Sequence, residues 1–153
     1  MQLDRTRQPL SRVAKLALAL ELILSIGAVA GGLMLMLAPR GEIIPLPLSA
    51  LAGSPFDTYF VPGLILFSVI GLGPLVAARL AWMRHPVAPV AAFVVGAGLL
   101  TWVGVEVAII GYSNEPPLQA IYGILGVAIV LVAIRWLLDV GLPQLHRNIA
   151  THV

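Results

Sequence analysis

Residues 87–138 read VAPVAAFVVGAGLLTWVGVEVAIIGYSNEPPLQAIYGILGVAIVLVAIRWLL. Two apolar runs, 87–112 and 118–138, are separated by five residues of turn chemistry, SNEPP. At a rise of about 1.5 Å per residue, runs of 26 and 21 residues each reach across a hydrocarbon core about 30 Å thick. So short a connection makes the two helices antiparallel neighbours. Pro116 and Pro117 suit the first turn of the second one, with Ser113 or Asn114 as its cap.

Two more runs of this kind precede them, at 16–37 and 60–82, and only four residues, 83–86, join the second run to the third. Hydrophobic residues make up 59% of the chain and charged ones 10%, with a mean hydropathy of +1.00. A soluble domain has about two and a half times that charged share. The composition implies an integral membrane protein, all-α, a transmembrane four-helix bundle forming one membrane domain over 1–153. Arg5, Arg7, Arg12 and Lys15 ahead of the first run imitate the start of a signal peptide. Its 22 apolar residues exceed the about 7–15 of a signal's core, so this run is expected to stay as a span.

Arginine and lysine placement orients the bundle. The N-terminal arm holds four, Arg79 precedes the 83–86 turn and Arg84 lies in it, and Arg135 and Arg147 end the last helix, whereas the opposite connections hold Arg40 alone. Both termini are therefore expected in the cytoplasm, with a tail at 139–153. The link 38–59 is the one long connection. Its prolines at 45, 47 and 55 oppose a regular helix, yet Ile43, Ile44, Leu46, Leu48, Leu51 and Phe56 are too apolar for a solvated loop. It is expected along the outer interface, as a lid over its own bundle or as a docking surface.

Small residues mark close helix packing in lipid. Gly27 and Gly31 in GAVAG, followed by Gly32, and Gly96 and Gly104 of the third helix are the candidates, for contacts within the bundle or with a partner. In GLGP at 71–74, Pro74 crowds the carbonyl of Ile70, which predicts a bend in the second helix.

Ionisable residues at bilayer depth are functional candidates because burying a charge there is costly. Glu21, Arg79 and Arg135 fall at similar heights near the cytoplasmic end and are expected to form a structural ion cluster, or to hold a lipid head group. Glu106 lies near the outer end with no cation at its level. Gln119, Tyr122 and Tyr59 are its neutral candidate partners, and a carboxyl so placed is expected to act as a protonated hydrogen-bond donor. Three roles stand open for it: a tie between helices, a ligand site, or proton chemistry.

The inventory for other chemistry is thin. There is no cysteine, which removes disulfides, thiolate nucleophiles and iron–sulfur ligation. His85, His146 and His152 all fall at one end, so no bis-His haem is built, and no metal-ligand spacing, catalytic triad order or phosphate loop occurs. A net charge of +2 forms no patch for nucleic acid. No catalytic residue is expected.

SPFDTYFVPGLILFSVIGLGPLVAARLAWMRHPVAP from Ser54, then W(x3)E(x3)IGY and IYGILG, resembles small bacterial four-helix membrane proteins of the DoxX-like group over 54–127. The resemblance implies this topology and the bacterial inner membrane, and no activity. The functional expectation is a non-catalytic accessory subunit of a larger membrane complex, respiratory or photosynthetic, with other membrane subunits as partners and a lipid, quinone or pigment at a subunit interface. The alternative is a lipid, quinone or small-molecule binder using Glu106, Gln119, Tyr122 and Tyr59 beneath the link.

Overall fold

The computed structural model of the chain describes residues 9–112 and 117–150, with side chains of the last helix as far as Gly141. Four helices carry it: α1 (Arg12–Leu37), α2 (Phe60–Trp82), α3 (Ala88–Ile110) and α4 (Leu118–Ala150). Each contains a stretch long and apolar enough to cross a membrane, and no strand occurs among the described residues. Neighbours in sequence run antiparallel. α1 packs most extensively on α2 and α3 on α4, and α1–α4 together with the Leu72–Trp82 part of α2 against α3 closes the ring.

Each boundary has a local cause. Ser11 caps α1, its Oγ accepting from the Ala14 amide at 3.1 Å, so this helix starts four residues before the apolar run and takes in Lys15. α2 ends in a pair of bonds, His85 N–H to the Leu80 carbonyl at 2.9 Å and Arg84 N–H to that of Ala81 at 3.0 Å, the pattern of a Schellman turn. Arg84 takes the left-handed conformation there, at φ 56°. The expected caps Ser113 and Asn114 lie outside the described residues. Of the tail expected at 139–153, residues 139–150 continue α4. Asp139, four residues after Arg135 and 2.9 Å from it, ties the first added turn.

What holds α1 to α2 is the approach of their backbones. A side-chain carbon added at Gly32 would sit 2.6 Å from the amide nitrogen of Phe67 and 2.8 Å from the Gly63 carbonyl; one at Gly63 would meet Leu35 Cβ at 2.7 Å, and one at Gly71 would meet Val29 at 2.8 Å. Such closeness lets main-chain atoms exchange dispersion energy where no hydrophobic force separates helix from lipid. Ser25 adds a bond across the same seam, its hydroxyl donating to the Gly71 carbonyl at 2.7 Å in a fully buried setting, worth about 0.5–1.5 kcal/mol.

The irregularity expected near Pro74 lies one turn earlier. Residues Leu66–Gly71 form a π-helical segment, an extra residue in the turn that precedes the ring, where a regular α-helix would have driven Pro74 into the Ile70 carbonyl. Beyond it, Phe60–Ile65 makes no close approach to α3, and the 3-10 turn Leu48–Leu51 of the link packs on α3 instead. Leu51, Leu35 and Tyr59 form a buried cluster there with Ile44, Leu46, Phe56 and Leu66 around it. The link thus packs on its own bundle, as a lid does, while Ile43 and Leu48 stay exposed. Gly41 turns the chain into it at φ 89°, with the Leu46 carbonyl where a side chain would stand.

Replacing Gly32 by Val should destabilise the bundle by about 1–3 kcal/mol, the usual cost of overpacking, because backbone on the facing side has no rotamer to yield. At Gly31, where an added carbon meets Leu66 at an ordinary 3.5 Å, Ala should be neutral or stabilising by up to about 1 kcal/mol through helix propensity. Unfolding in mixed detergent micelles, followed by circular dichroism, separates the two.

Candidate functional site

The region around Glu106 is built from α3 and α4. On α3, Glu106 falls on the side of Leu99 and Val103, facing the bundle, and is half-buried. Trp102, one turn earlier, donates its indole N–H to Glu106 Oε1 at 2.9 Å. A bond between residues i and i+4 costs little entropy because the helix already holds both side chains on one face. Tyr122 of α4 lies within electrostatic reach of Glu106 and packs with Trp102 and Val103 against the buried Leu99 and Ile129.

The other two expected members point elsewhere. Gln119 is buried and its Nε2 donates to the Gly111 carbonyl at 3.0 Å, closing the exit of α3, where Gly111 turns the chain at φ 75°. Tyr59 is buried at the start of α2. Its amide donates to the Pro39 carbonyl at 2.8 Å and its hydroxyl to that of Pro47 at 2.9 Å, so it fastens the link at two points. Glu106 and Tyr122 come together; Gln119 and Tyr59 serve backbone carbonyls. Trp102, the direct partner of Glu106, was legible in the spacing W(x3)E.

Glu21, Arg79 and Arg135 do not form the expected cluster. Glu21 is fully buried in the interior, and neither carboxyl oxygen has a hydrogen-bond partner among the described residues. Arg135 is exposed and bonds Asp139, a surface pair worth at most about 0.5 kcal/mol. Arg79 is exposed as well and lines an open groove of about 520 Å³ with Leu10, Trp82, Met83 and Arg84. Heights along the helices matched, but the directions in which the side chains leave them did not.

The packing glycines divide in the same way. An added carbon at Gly96 would meet Val130 at 2.8 Å and Ile129 at 3.0 Å, so α3 and α4 close up there. At Gly27 it would lie 2.5 Å from the Tyr122 hydroxyl, which joins α1 to α4. Gly31 makes only ordinary contact, and Gly104 has nothing within 4 Å. Gly32, Gly63, Gly71 and Gly126, the last against Leu100 at 2.9 Å, share the close approaches.

No group of three His, Asp or Glu able to hold a metal occurs among the described residues. His85 accepts from the Val87 amide at 3.3 Å in an exposed turn. Comparison with family models, curated proteins and solved structures gives no match.

Gly27→Ala should cost about 1–3 kcal/mol by pressing on the Tyr122 hydroxyl. Tyr122→Phe removes that oxygen and leaves the next ring atom at 3.5 Å. A double-mutant cycle in detergent should therefore show most of the loss recovered in the pair, whereas additive losses would contradict this packing.

Proposed function

We propose that the chain is a non-catalytic accessory subunit of a larger membrane protein complex, respiratory or photosynthetic, in the bacterial cytoplasmic membrane, and that it binds its neighbour through the link-end half of α3. The observation that carries this reading is how little of that half the bundle covers. From Thr101 to Ile110 no residue of α3 is buried, whereas the other half of the same helix buries Ala88, Pro89, Ala92, Gly96 and Leu99.

The uncovered side has the composition of a helix interface. Gly98, Thr101, Val105 and Ala108 recur at three- and four-residue steps with Gly104 beside them, opposite the side that carries Glu106. Carbons added at Gly98 and Gly104 would meet nothing within 4 Å, so another helix has room to lie against the backbone, as small residues permit in lipid. Thr101 meets its own need by donating to the Ala97 carbonyl at 3.0 Å. The bias of Arg and Lys to the end of the bundle that holds the termini supports both termini inside. The DoxX-like resemblance over 54–127 supports the bacterial inner membrane.

The alternative, a lipid, quinone or small-molecule binder, now rests on Glu106 and Tyr122, since Gln119 and Tyr59 are occupied by the backbone. Glu106→Gln should abolish retention of such a ligand and leave an accessory subunit in its complex.

With no cysteine in the chain, a thiol placed at Gly104 is unique. In native membranes it should cross-link stoichiometrically to another membrane subunit, whereas a thiol at Ile23, exposed on α1, should not. Gly104→Leu should release the chain from the complex in mild detergent while changing its own stability by no more than about 1 kcal/mol. Wild-type chain that migrates alone in the mildest detergent, with no cross-link at position 104, would refute the reading.

A further inference from the structure

Glu21 is the one fully buried ionisable side chain among the described residues, and no bond of the fold uses it. It stands in the row that α1 turns inward: Ala14, Ala17, Glu21, Leu24, Ser25, Ala28, Gly32 and Leu35. Nine residues separate it from Arg12, about 14 Å along the axis.

Close approaches elsewhere fix what lies at its height. Gly32 beside Phe67, and Gly71 beside Val29, set the antiparallel register of α1 and α2, which brings Ala78 level with Glu21. Gly96 beside Ile129 and Val130, and Gly126 beside Leu100, set α3 against α4 so that Ala92 stands level with Ala133. The buried clusters on either side agree. Toward the Arg12 end, Ala14 and Ala17 pack with Ala81, Ala88 and Trp136; toward the link, Leu24 and Ala28 pack with Ile70, Leu99 and Ile129. The layer between them holds Glu21, Ala77, Ala78, Ala92 and Ala133, every one of them at most 4% exposed.

Four methyl groups leave the middle of this layer to one long side chain. Leucine or methionine would fill the same space, so packing asks for the length of Glu21 and not for its acid. Among the described residues no titratable group faces it: α2 presents Pro74, Ala77 and Ala78, α3 Ala92 and Gly96, α4 Ile129 and Ala133. Arg79 and Arg135 are exposed, and Glu106 lies about 20 Å farther along the bundle. The nearest polar side chain on α1 is Ser25, one turn on, whose hydroxyl hydrogen goes to Gly71 and whose lone pairs remain to accept. A neutral acid suits these surroundings. A carboxylate would be without a counter-charge.

We propose that Glu21 is a membrane-buried proton-binding site, a carboxylic acid that exchanges one proton with water through the alanine-lined seam at the Arg12 end of the bundle. That side is the thin one. Ala14, Ala17, Ala81 and Ala88, with Trp136 as the one large side chain among them, separate Glu21 from the groove of Leu10, Arg79 and Trp82, whereas Leu24, Ile70, Leu99 and Ile129 close the other. On release the carboxyl O–H bond breaks, the proton leaves on a water molecule, and the parted seam hydrates the carboxylate left behind. The inference stands apart from the accessory-subunit reading, because it concerns the opposite end and a different helix.

Infrared spectroscopy of the full chain in phospholipid vesicles tests it. Cell-free synthesis of an E42Q/E106Q/E115Q variant with side-chain carboxyl-13C glutamate leaves Glu21 as the one labelled carboxyl among the four glutamates of the chain. Its spectrum at neutral pH should show the carbonyl stretch of a protonated acid. That band should shift on transfer to D2O and give way to a carboxylate band only at a pH above that which titrates the exposed Glu42 in an E21Q/E106Q/E115Q counterpart. A carboxylate band alone at neutral pH overturns the proposal, and so does an acid band that never shifts in D2O. Should the triple variant fail to fold, the difference between uniformly labelled wild type and E21Q reads the same band.

Discussion

The fold depends on the main chains of α1 and α2 touching. In water, a helix pair is driven together by the apolar surface it hides; in lipid that surface is already satisfied, and what remains is close fit and the occasional polar bond. Gly32 against Phe67, Gly63 against Leu35 and Gly71 against Val29 supply the fit, and Ser25 on the Gly71 carbonyl supplies the bond. All of it lies along one antiparallel seam. The heights of Glu21, the alanine layer and the link above Leu35 follow from that seam's register.

Architecture was legible in the sequence because bilayer thickness imposes a length. Four runs of the right length, two tight connections and one apolar link gave the number of helices, their antiparallel order and the one segment that had to fold back. The limits are physical as well. Ser11 begins α1 earlier than hydropathy can report, since capping is chemistry of the helix end and not of its apolarity. Beyond residue 138 the sequence loses its apolar run, yet the helix continues, because hydropathy measures span and not helicity.

Contacts between helices were harder to read, for one reason. A soluble helix advertises its inner face by being apolar there and polar outside; α1 and α3 are apolar all round, so periodicity says nothing of direction. Spacing gave the height of Glu21 relative to Arg79 and Arg135 correctly and their azimuth not at all. Gly31 and Gly32 are adjacent and about 100° apart around the axis, and only the second meets the backbone of α2. Around Glu106 the legible signal was local: Trp102 four residues before it on the same face, which the spacing alone contains. Gln119 and Tyr59 were drawn away by carbonyls of Gly111 and Pro47, left unpaired where helix or link ends, which no reading of side-chain types locates.

The π segment at Leu66–Gly71 makes α2 sensitive to chain length in a way its neighbours are not. One residue more than an α-helix needs is stored there, and each residue turns a helix by about 100°. Losing a single residue from this stretch would swing everything from Phe60 to Ile65 about the axis, carry Gly63 off Gly32 and aim Tyr59 away from the link it fastens. Length in this short piece acts as phase, and phase decides which wall of the helix its outer end offers to α1.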